Sequence, residues 1–128
     1  MHFLNNKIYD NENDNSLVLY FEILNKKILL MGDAGVNVEK NILEEYNIKN
    51  IDILKVGHHG SKTSSNQCFI DKINPKYSII SVGWNNRYNH PNEEVIERLV
   101  NSKVYRTDKD GTIEIKINNK IVFQKYIP

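Results

Sequence analysis

Apolar residues recur along this chain with two spacings, which divide it into strand-like and helix-like segments. Alternating or continuous apolar runs, typical of strands, occupy residues 17–24, 27–31, 51–57, 76–82, 104–106 and 111–126. Helical spacing occupies residues 36–46, with Glu39 on the polar face, and residues 66–73. A third helical segment, with Pro91 suited to its first turn, has Val95, Ile96, Leu99 and Val100 on its inner face. The predicted order of elements is β-β-α-β-α-β-α-β-β-β.

The links between these segments predict how the strands pair. Asn25 and Lys26 fit a tight hairpin between the first two strands, and Asn118-Asn119 fit the turn of a terminal hairpin. Each of the following strands leads into a helix, which is typical of a mixed sheet with a site at one edge. We therefore predict an α/β fold of the α+β kind, with helices packed on one face of the sheet. Residues 1–128 should form a single domain, in which the Asn- and Asp-rich residues 1–14 are a loosely ordered lead-in.

Composition changes this picture little. The 128 residues can bury a modest core, and the formal net charge of +1 gives no global field that would favour nucleic acid or a membrane. A local basic groove is still compatible with that charge. The single cysteine, Cys68, cannot form an internal disulfide, and its helical segment predicts that it packs as a small hydrophobe. No apolar stretch approaches the ~20 residues of a membrane span, so a soluble chain is expected.

Two adjacent histidines between glycines, His58 and His59, end the central strand. Imidazole is a common metal ligand and a general acid or base near neutral pH. Ser61, Lys62 and Thr63 follow directly, and hydroxyls and an ammonium suit an anion such as phosphate. The alternative is a polar loop with solvated histidines, but the flanking glycines and the preceding buried strand favour a site.

Two further strand ends carry polar residues that we expect at the same edge of the sheet. Asp33 follows four apolar residues and a glycine, where a carboxylate either binds a cation or caps the next helix. His90 is either a third group of the site or an ordinary His-Pro loop residue. Trp84, Arg87 and Tyr88 offer a stacking surface and a phosphate partner, unless Trp84 simply packs the loop. One aspartate and one histidine are too few for a dedicated zinc or manganese site.

Six motifs, taken together and in order, resemble the metallo-β-lactamase-type domain of the ComEC competence-protein family. They are Asn13-Asp-Asn-Ser-Leu-Val-Leu19, Ile28-Leu-Leu-Met-Gly-Asp33, Leu54-Lys-Val-Gly-His-His-Gly-Ser-Lys-Thr-Ser64, Pro75-Lys-Tyr-Ser-Ile-Ile-Ser-Val-Gly83, Asn86-Arg-Tyr-Asn-His-Pro91 and Val104-Tyr-Arg-Thr-Asp-Lys-Asp-Gly111. The likeness runs from about residue 13 to the end. It implies a four-layer αββα hydrolase fold with one or two zinc or manganese ions, in a bacterial integral membrane protein of DNA uptake, on the extracytoplasmic side.

Residue roles follow from the resemblance by position. Asp33 resembles the carboxylate that bridges two metals, and His59 resembles the final metal ligand. His58 then resembles a phosphate contact or proton donor, although the reverse assignment of the two histidines stays open. Lys62 would act beside His58 in catalysis. Ser61, Thr63, Arg87 and His90 would bind the phosphate of the substrate.

One departure from the family limits these expectations. The family's upstream His-x-His-x-Asp-His metal motif is absent from this sequence. The chain therefore resembles the C-terminal half of the domain, expected to bind metal weakly or not at all and to be inactive alone. Its expected partners are DNA, the missing N-terminal half and a second copy of itself. The alternatives are a non-catalytic module that binds DNA or a partner, and a different metallo-β-lactamase-type hydrolase acting on a phosphoester or lactone.

Overall fold

The computed structural model describes residues 1–127. Its elements follow the predicted order, with one short strand added at the start and one short helix added late in the chain. The strands are β1 (His2–Phe3), β2 (Leu19–Ile23), β3 (Lys26–Leu30), β4 (Ile53–Lys55), β5 (Tyr77–Ile80), β6 (Lys103–Arg106), β7 (Thr112–Ile117) and β8 (Ile121–Tyr126). The helices are α1 (Val36–Glu45), α2 (Gln67–Ile73), α3 (Glu93–Arg98) and α4 (Thr107–Asp110).

Strands β1 to β6 form one mixed sheet in chain order, and β7 with β8 forms a separate two-stranded sheet. The pairs β1–β2 and β2–β3 are antiparallel, whereas β3–β4, β4–β5 and β5–β6 are parallel. Helices α1, α2 and α3 connect the successive parallel strands. The predicted α/β class with a mixed sheet is confirmed. Because β3, β4 and β5 run in the same direction, their carboxyl ends meet at one edge of the sheet.

The first hairpin forms as predicted, but its turn lies one residue earlier. Leu24 and Asn25 are the turn residues, with φ of 48° and 60°, and Lys26 already pairs with Ile23. Positive φ at both central residues is the type I′ geometry that matches the twist of paired strands. The strand pairing therefore places a leucine in a left-handed conformation that asparagine adopts more readily.

One face of the sheet carries the core shared with the helices. Leu29, Leu54 and Ile80 on three successive strands are each at most 1% exposed. They belong to one cluster with helix residues Val38 and Ile42 of α1, Phe69 and Ile73 of α2, and Val95 of α3. Burial of each such side chain contributes about 1.5–3 kcal/mol, so this cluster fixes the sheet and its edge loops in one arrangement.

The opposite face is only partly covered. Alternate strand residues point to it and line an apolar groove of about 350 Å³, whose walls include Phe21, Ile23, Ile28, Leu30, Ile53 and Ile79, with Ile115 and Ile117 of β7. Beside the groove, Phe123 of β8 stacks on Tyr105 with ring centroids 4.2 Å apart and packs at a tilt against Tyr77 at 4.7 Å. The β7–β8 hairpin thus covers one part of this face and leaves the groove open.

The first residues are better integrated than a loosely ordered lead-in, which corrects that expectation. β1 pairs with β2, and Leu4 and Asp14 are each only 2% exposed. The Asn5 amide donates to the carbonyls of Asp14 and Ser16, at 2.7 and 2.9 Å. The segment is polar because its side chains satisfy backbone groups, a use that composition does not distinguish from a solvated loop.

Four side chains lie where the hydrophobic pattern did not place them. Glu39, expected on the polar face of α1, is 1% exposed, and Cys68, expected to be buried, is exposed. Val100 is 79% exposed because α3 ends at Arg98, before the turn that would have carried Val100 inward. Pro91 precedes the capping residue Asn92 instead of lying in the first turn of α3. Within residues 1–127, none of the helices has the length and apolar character needed to cross a bilayer.

Candidate functional site

Three loops meet at the carboxyl ends of β3, β4 and β5, as the sequence predicts. The His58 N–H donates to the Gly32 carbonyl at 3.0 Å, which ties the loop after β4 to the loop after β3. The Asn92 N–H donates to the Gly60 carbonyl at 2.9 Å and ties the loop after β5 to the same turn. The candidate site is therefore one connected surface made from three separate parts of the chain.

The His-His turn is held in an unusual backbone conformation. His58 and His59 both have positive φ, at 46° and 54°, a conformation that costs energy in residues with a Cβ atom. At Gly60, φ is +79° and an added Cβ would lie 2.5 Å from the Pro91 Cβ, so only glycine fits against the next loop. The buried Ser64 hydroxyl lies 2.8 Å from the Gly57 carbonyl and braces the turn from below. This construction points both imidazoles away from the core.

Glu39 and Arg98 hold the segment that follows the two histidines. The Glu39 carboxylate accepts hydrogen bonds from the backbone N–H groups of Ser65 and Asn66, the second at 2.9 Å. Arg98 donates to the Ser65 carbonyl at 3.2 Å. Burial raises the pKa of Glu39 to about 7, against the two N–H groups and Arg98, which lower it. Helices α1 and α3 thus position the loop through two buried or half-buried polar side chains.

His59 faces Asp33 across the site. The Nδ1 atom of His59 lies 2.6 Å from the Ser81 carbonyl, to which it can only donate, so Nε2 presents the lone pair of the neutral ring. That Nε2 is 3.4 Å from Oδ1 of Asp33. A proton on Nε2, or a cation held between the two atoms, would bridge them.

Asp33 does not cap helix α1, which was the alternative interpretation of this residue. The α1 cap is Gly35, whose N–H donates to Oδ1 of Asp14 at 2.8 Å. The carboxylate that caps α1 is therefore Asp14, and Asp33 faces His59 instead. Asp14 also accepts from the Asn37 amide at 3.3 Å.

His58 and His90 lie side by side next to this pair. Their ring centroids are 5.9 Å apart in an edge-on arrangement. The two nitrogens of His58 lie 3.4 Å from the Thr63 hydroxyl and 3.5 Å from the Asn13 amide. Loss of solvent around the ring, and then the nearby His58 and His59, lower the pKa of His90 below its ordinary value.

The loop that carries His90 has a defined shape. The Asn86 side chain accepts from the His90 N–H at 2.9 Å and donates to the His90 carbonyl at 2.8 Å. Tyr88 stacks on His90 with centroids 5.7 Å apart, and the Arg87 guanidinium lies over the Tyr88 ring at 4.9 Å. A cleft of about 210 Å³ opens between His59 and this loop. Trp84 is 84% exposed, so the interpretation that it packs the loop for stability is wrong.

The predicted phosphate-binding residues divide into two groups. Ser61 is buried, and its hydroxyl lies 3.0 Å from that of Thr63, so it braces the turn from within. Lys62 and Thr63 are exposed at the rim. Arg87 contacts Tyr88 and reaches no other predicted site residue through a hydrogen bond in the described structure. Asp33, His58, His59 and His90 form the centre, with the cationic residues around it.

Sequence reasoning missed three contributors to this site. Asn13 reaches His58, and the Ser81 carbonyl orients His59. Lys55 lies between the site and the apolar groove. Burial lowers the pKa of its ammonium, and the negative charge of Asp33 partly raises it again. Asn13 opens the first quoted motif, and that position was the available signal. Nothing in the sequence marks the carbonyl or the lysine.

The donor set is incomplete for a tightly held metal. Among residues 1–127, no group of three or more His, Cys, Asp or Glu is placed to hold a metal ion together. Two ligand atoms at about 2.1 Å from one tetrahedral ion lie about 3.4 Å apart, which matches the separation of the His59 and Asp33 atoms. These two side chains fit part of a metal site and require further ligands to complete it.

The fold and site together define a mixed α/β domain with a histidine- and aspartate-bearing edge at the ends of parallel strands. No family model matches the chain. It is 42% identical over 121 residues to ComE operon protein 3 of Bacillus subtilis, covering 91% of this chain and 16% of that protein. It is 34% identical to Competence protein ComA of Neisseria gonorrhoeae, covering 80% of the chain and 15% of that protein. Recombination protein 2 of Haemophilus influenzae is also 34% identical, over 81% of the chain and 13% of its own length.

The chain belongs to the ComEC group of competence proteins, as a homologue of one segment of them. It spans about one sixth of the length of ComE operon protein 3.

Proposed function

We propose that this chain is the C-terminal part of a metal-dependent phosphodiesterase domain that cleaves DNA during competence. The observation that carries the proposal is the pair formed by His59 and Asp33. Their facing acceptor atoms are 3.4 Å apart, and the Ser81 carbonyl fixes the tautomer that turns the His59 lone pair toward the carboxylate. A histidine held in this way by a backbone carbonyl is the usual arrangement of a metal-ligating imidazole.

The residues around this pair suit phosphodiester hydrolysis. A divalent zinc or manganese ion, when bound, would supply an activated water and neutralise charge on the phosphate. His59 and Asp33 would hold it, together with ligands from the upstream half of the domain. His58, beside His90, can donate or accept a proton at a phosphate oxygen. Lys62, Thr63 and Arg87 at the rim present donors to the rest of the phosphate backbone.

The open groove supports the proposal that a second half of the domain packs on this one. Apolar side chains of four strands and of the hairpin line it, and an uncovered apolar sheet face is a typical interaction surface. An upstream half that brings its own sheet would close the groove as the second layer of an αββα sandwich. By the same resemblance, we expect the complete protein to be an integral membrane protein with this domain on the extracytoplasmic side.

The test is made on a complete domain in which the chain is joined to an upstream half carrying the His/Asp motif. His59→Ala should lower both metal content and DNA hydrolysis, because it removes a bond to the ion. His58→Ala should leave metal content nearly unchanged and reduce turnover by about 10²-fold or more, the usual scale for losing a general acid or base. Metal content is measured by elemental analysis, and hydrolysis with a labelled oligonucleotide.

His2→Ala is the matched control, because His2 is exposed on β1 and takes no part in the site. If His58→Ala empties the metal site and His59→Ala does not, the two roles are reversed. If neither substitution changes metal content or hydrolysis, the turn is structural and the hydrolase proposal fails.

A further inference from the structure

The loop of residues 83–90 exposes two aromatic rings beside the candidate site. Trp84 is 84% exposed and Tyr88 is 63% exposed. Large aromatic side chains bury most of their surface in ordinary folds. Two exposed rings on one short loop therefore leave an unusual amount of apolar surface in contact with water. Both belong to the loop that forms one wall of the cleft next to His59.

The backbone of this loop is held in a defined shape by hydrogen bonds. Asn86 makes hydrogen bonds to the N–H and the carbonyl of His90, and a third, of 3.2 Å, to the Gly83 carbonyl. Asn85 and Asn89 adopt positive φ, at 52° and 54°, a conformation that asparagine tolerates well. The stack of Arg87 on Tyr88, and of Tyr88 on His90, then leads from the surface to the histidines. The exposed rings are thus presented on an ordered loop.

The charges near this loop favour an anionic ligand. Residues 57–66 and 83–92, which form the two facing loops, contain no Asp or Glu although the chain has 16 of them. Lys62 and Arg87 supply exposed positive charge in these loops. The carboxylates next to these loops are Asp33, which faces His59 at 3.4 Å, and Glu93 and Glu94 on α3, of which Glu94 pairs with Arg98 at 3.1 Å. Flat apolar rings next to cationic and hydroxyl groups match a nucleotide, which has an aromatic base and a phosphate.

We propose that Trp84 and Tyr88 form a stacking platform for unpaired bases of a single-stranded nucleic acid whose phosphate lies at the histidines. A base that stacks on Tyr88 takes the place of the Arg87 guanidinium on that ring. This inference rests on the proposed function and adds to it a preference for single-stranded nucleic acid. A base that is paired within a duplex is already stacked on its neighbours and has no free face for the two rings. The platform therefore selects single strands over duplexes, and it tolerates any base because every base has a π-face.

The chain offers its own reporter, because Trp84 is its single tryptophan. The metal-free chain is titrated with a short oligothymidylate, with an abasic oligonucleotide of the same length and backbone, and with the corresponding duplex. We expect the oligothymidylate to quench Trp84 emission and to bind about 5- to 100-fold more tightly than the abasic strand, the range that stacking of one base gives. Equal binding of the abasic and base-bearing strands would overturn the proposal, because only phosphate contacts would then be at work.

Substitutions give an independent readout by the anisotropy of a labelled oligothymidylate. Trp84→Ala should weaken binding by a similar factor, Trp84→Phe should restore most of it, and Tyr88→Ala should weaken it while Trp84 emission still reports the fold. Val100→Ala is the control, since Val100 is 79% exposed before the start of β6, at the other end of the sheet. Unchanged binding in Trp84→Ala and Tyr88→Ala would overturn the platform. Metal-dependent hydrolysis is measured separately on the complete domain, so a loss of stacking and a loss of the proposed activity are distinguishable.

Discussion

At the scale of single residues, the site is a set of side chains fixed by backbone groups. The Ser81 carbonyl selects the tautomer of His59, and backbone bonds to Asn86 hold His90. Gly60 permits the left-handed turn that presents His58 and His59. These contacts come from the loops after β4 and β5, and Asp33 comes from the loop after β3, so the chemistry of the site depends on the alignment of three loops.

Glu39 gives a prediction about pH at this scale. Its pKa is raised by burial from 4.5 to about 7, so the folded chain binds a proton that the unfolded chain releases. The stabilisation from this proton is complete below about pH 4.5 and is lost as pH rises through about 7, for a total of about 3 kcal/mol. We expect the wild type to lose that amount relative to Glu39→Gln over this interval, as measured by urea unfolding at several pH values.

The comparison with Glu39→Gln removes the effects of other titrating groups, including His90. Gln also presents an amide to one of the two N–H groups of Ser65 and Asn66, so a lower stability at every pH is expected for the variant. Only the difference in slope bears on the pKa of Glu39. Parallel pH profiles for the two proteins would show that Glu39 titrates normally.

At the scale of elements, the two ends of the described chain stabilise its middle. The segment before β2 caps α1 through Asp14 and reaches His58 through Asn13. The β7–β8 hairpin packs Phe123 on rings from β5 and β6. Neither end is an appendage, because each contacts elements that carry the site.

The hairpin gives a prediction at this scale. Phe123→Ala should lower the free energy of unfolding by about 2 kcal/mol, since it removes two aromatic contacts and opens a gap at Tyr77 and Tyr105. The neighbouring Val122 points the other way and is 37% exposed, so Val122→Ala should change stability by no more than about 0.5 kcal/mol. Chemical denaturation followed by circular dichroism measures both. Equal effects of the two substitutions would show that the hairpin does not depend on its packing against the sheet.

At the scale of the whole molecule, the two faces of the sheet differ in how they are covered. One face is closed by three helices, and the other keeps the apolar groove beside the hairpin. Exposed apolar faces bind partners, and in a solution of the isolated chain the available partner is a second copy of the same chain. The same surface that we propose for the upstream half should therefore drive self-association when that half is missing.

Light scattering tests this expectation on the isolated chain. We expect an average mass above that of a monomer, increasing with concentration, and a shift toward the monomer in Ile23→Lys. Ile23 lines the groove and is 46% exposed, so a lysine there can extend into water without unfolding the sheet. Val100→Lys, on the helix side, should leave the mass unchanged. A wild-type monomer at high concentration would mean that the chain needs no partner on this face.

The sequence by itself determined the order of elements, the mixed sheet and the convergence of Asp33, His58, His59 and His90. These follow from local patterns, because the spacing of apolar residues sets each element and the direction of the strands brings their ends together. The quoted motifs also determined the relationship to competence proteins, which the identities to three relatives confirm. The roles of the site residues stay predictions.

Only the tertiary structure decided which polar residues are structural and which face the site. Asp14, not Asp33, caps α1, and Glu39 is buried under the histidine loop although its helical position is polar. The aromatic rings of the 83–90 loop are exposed where packing was an equal alternative. For Asp14 and Glu39 the partner is a backbone group that is distant in sequence. For the aromatic rings it is the solvent. The local sequence around a polar side chain is the same whether that side chain is structural or faces the site. Its role therefore depends on which distant groups the fold brings within hydrogen-bonding distance.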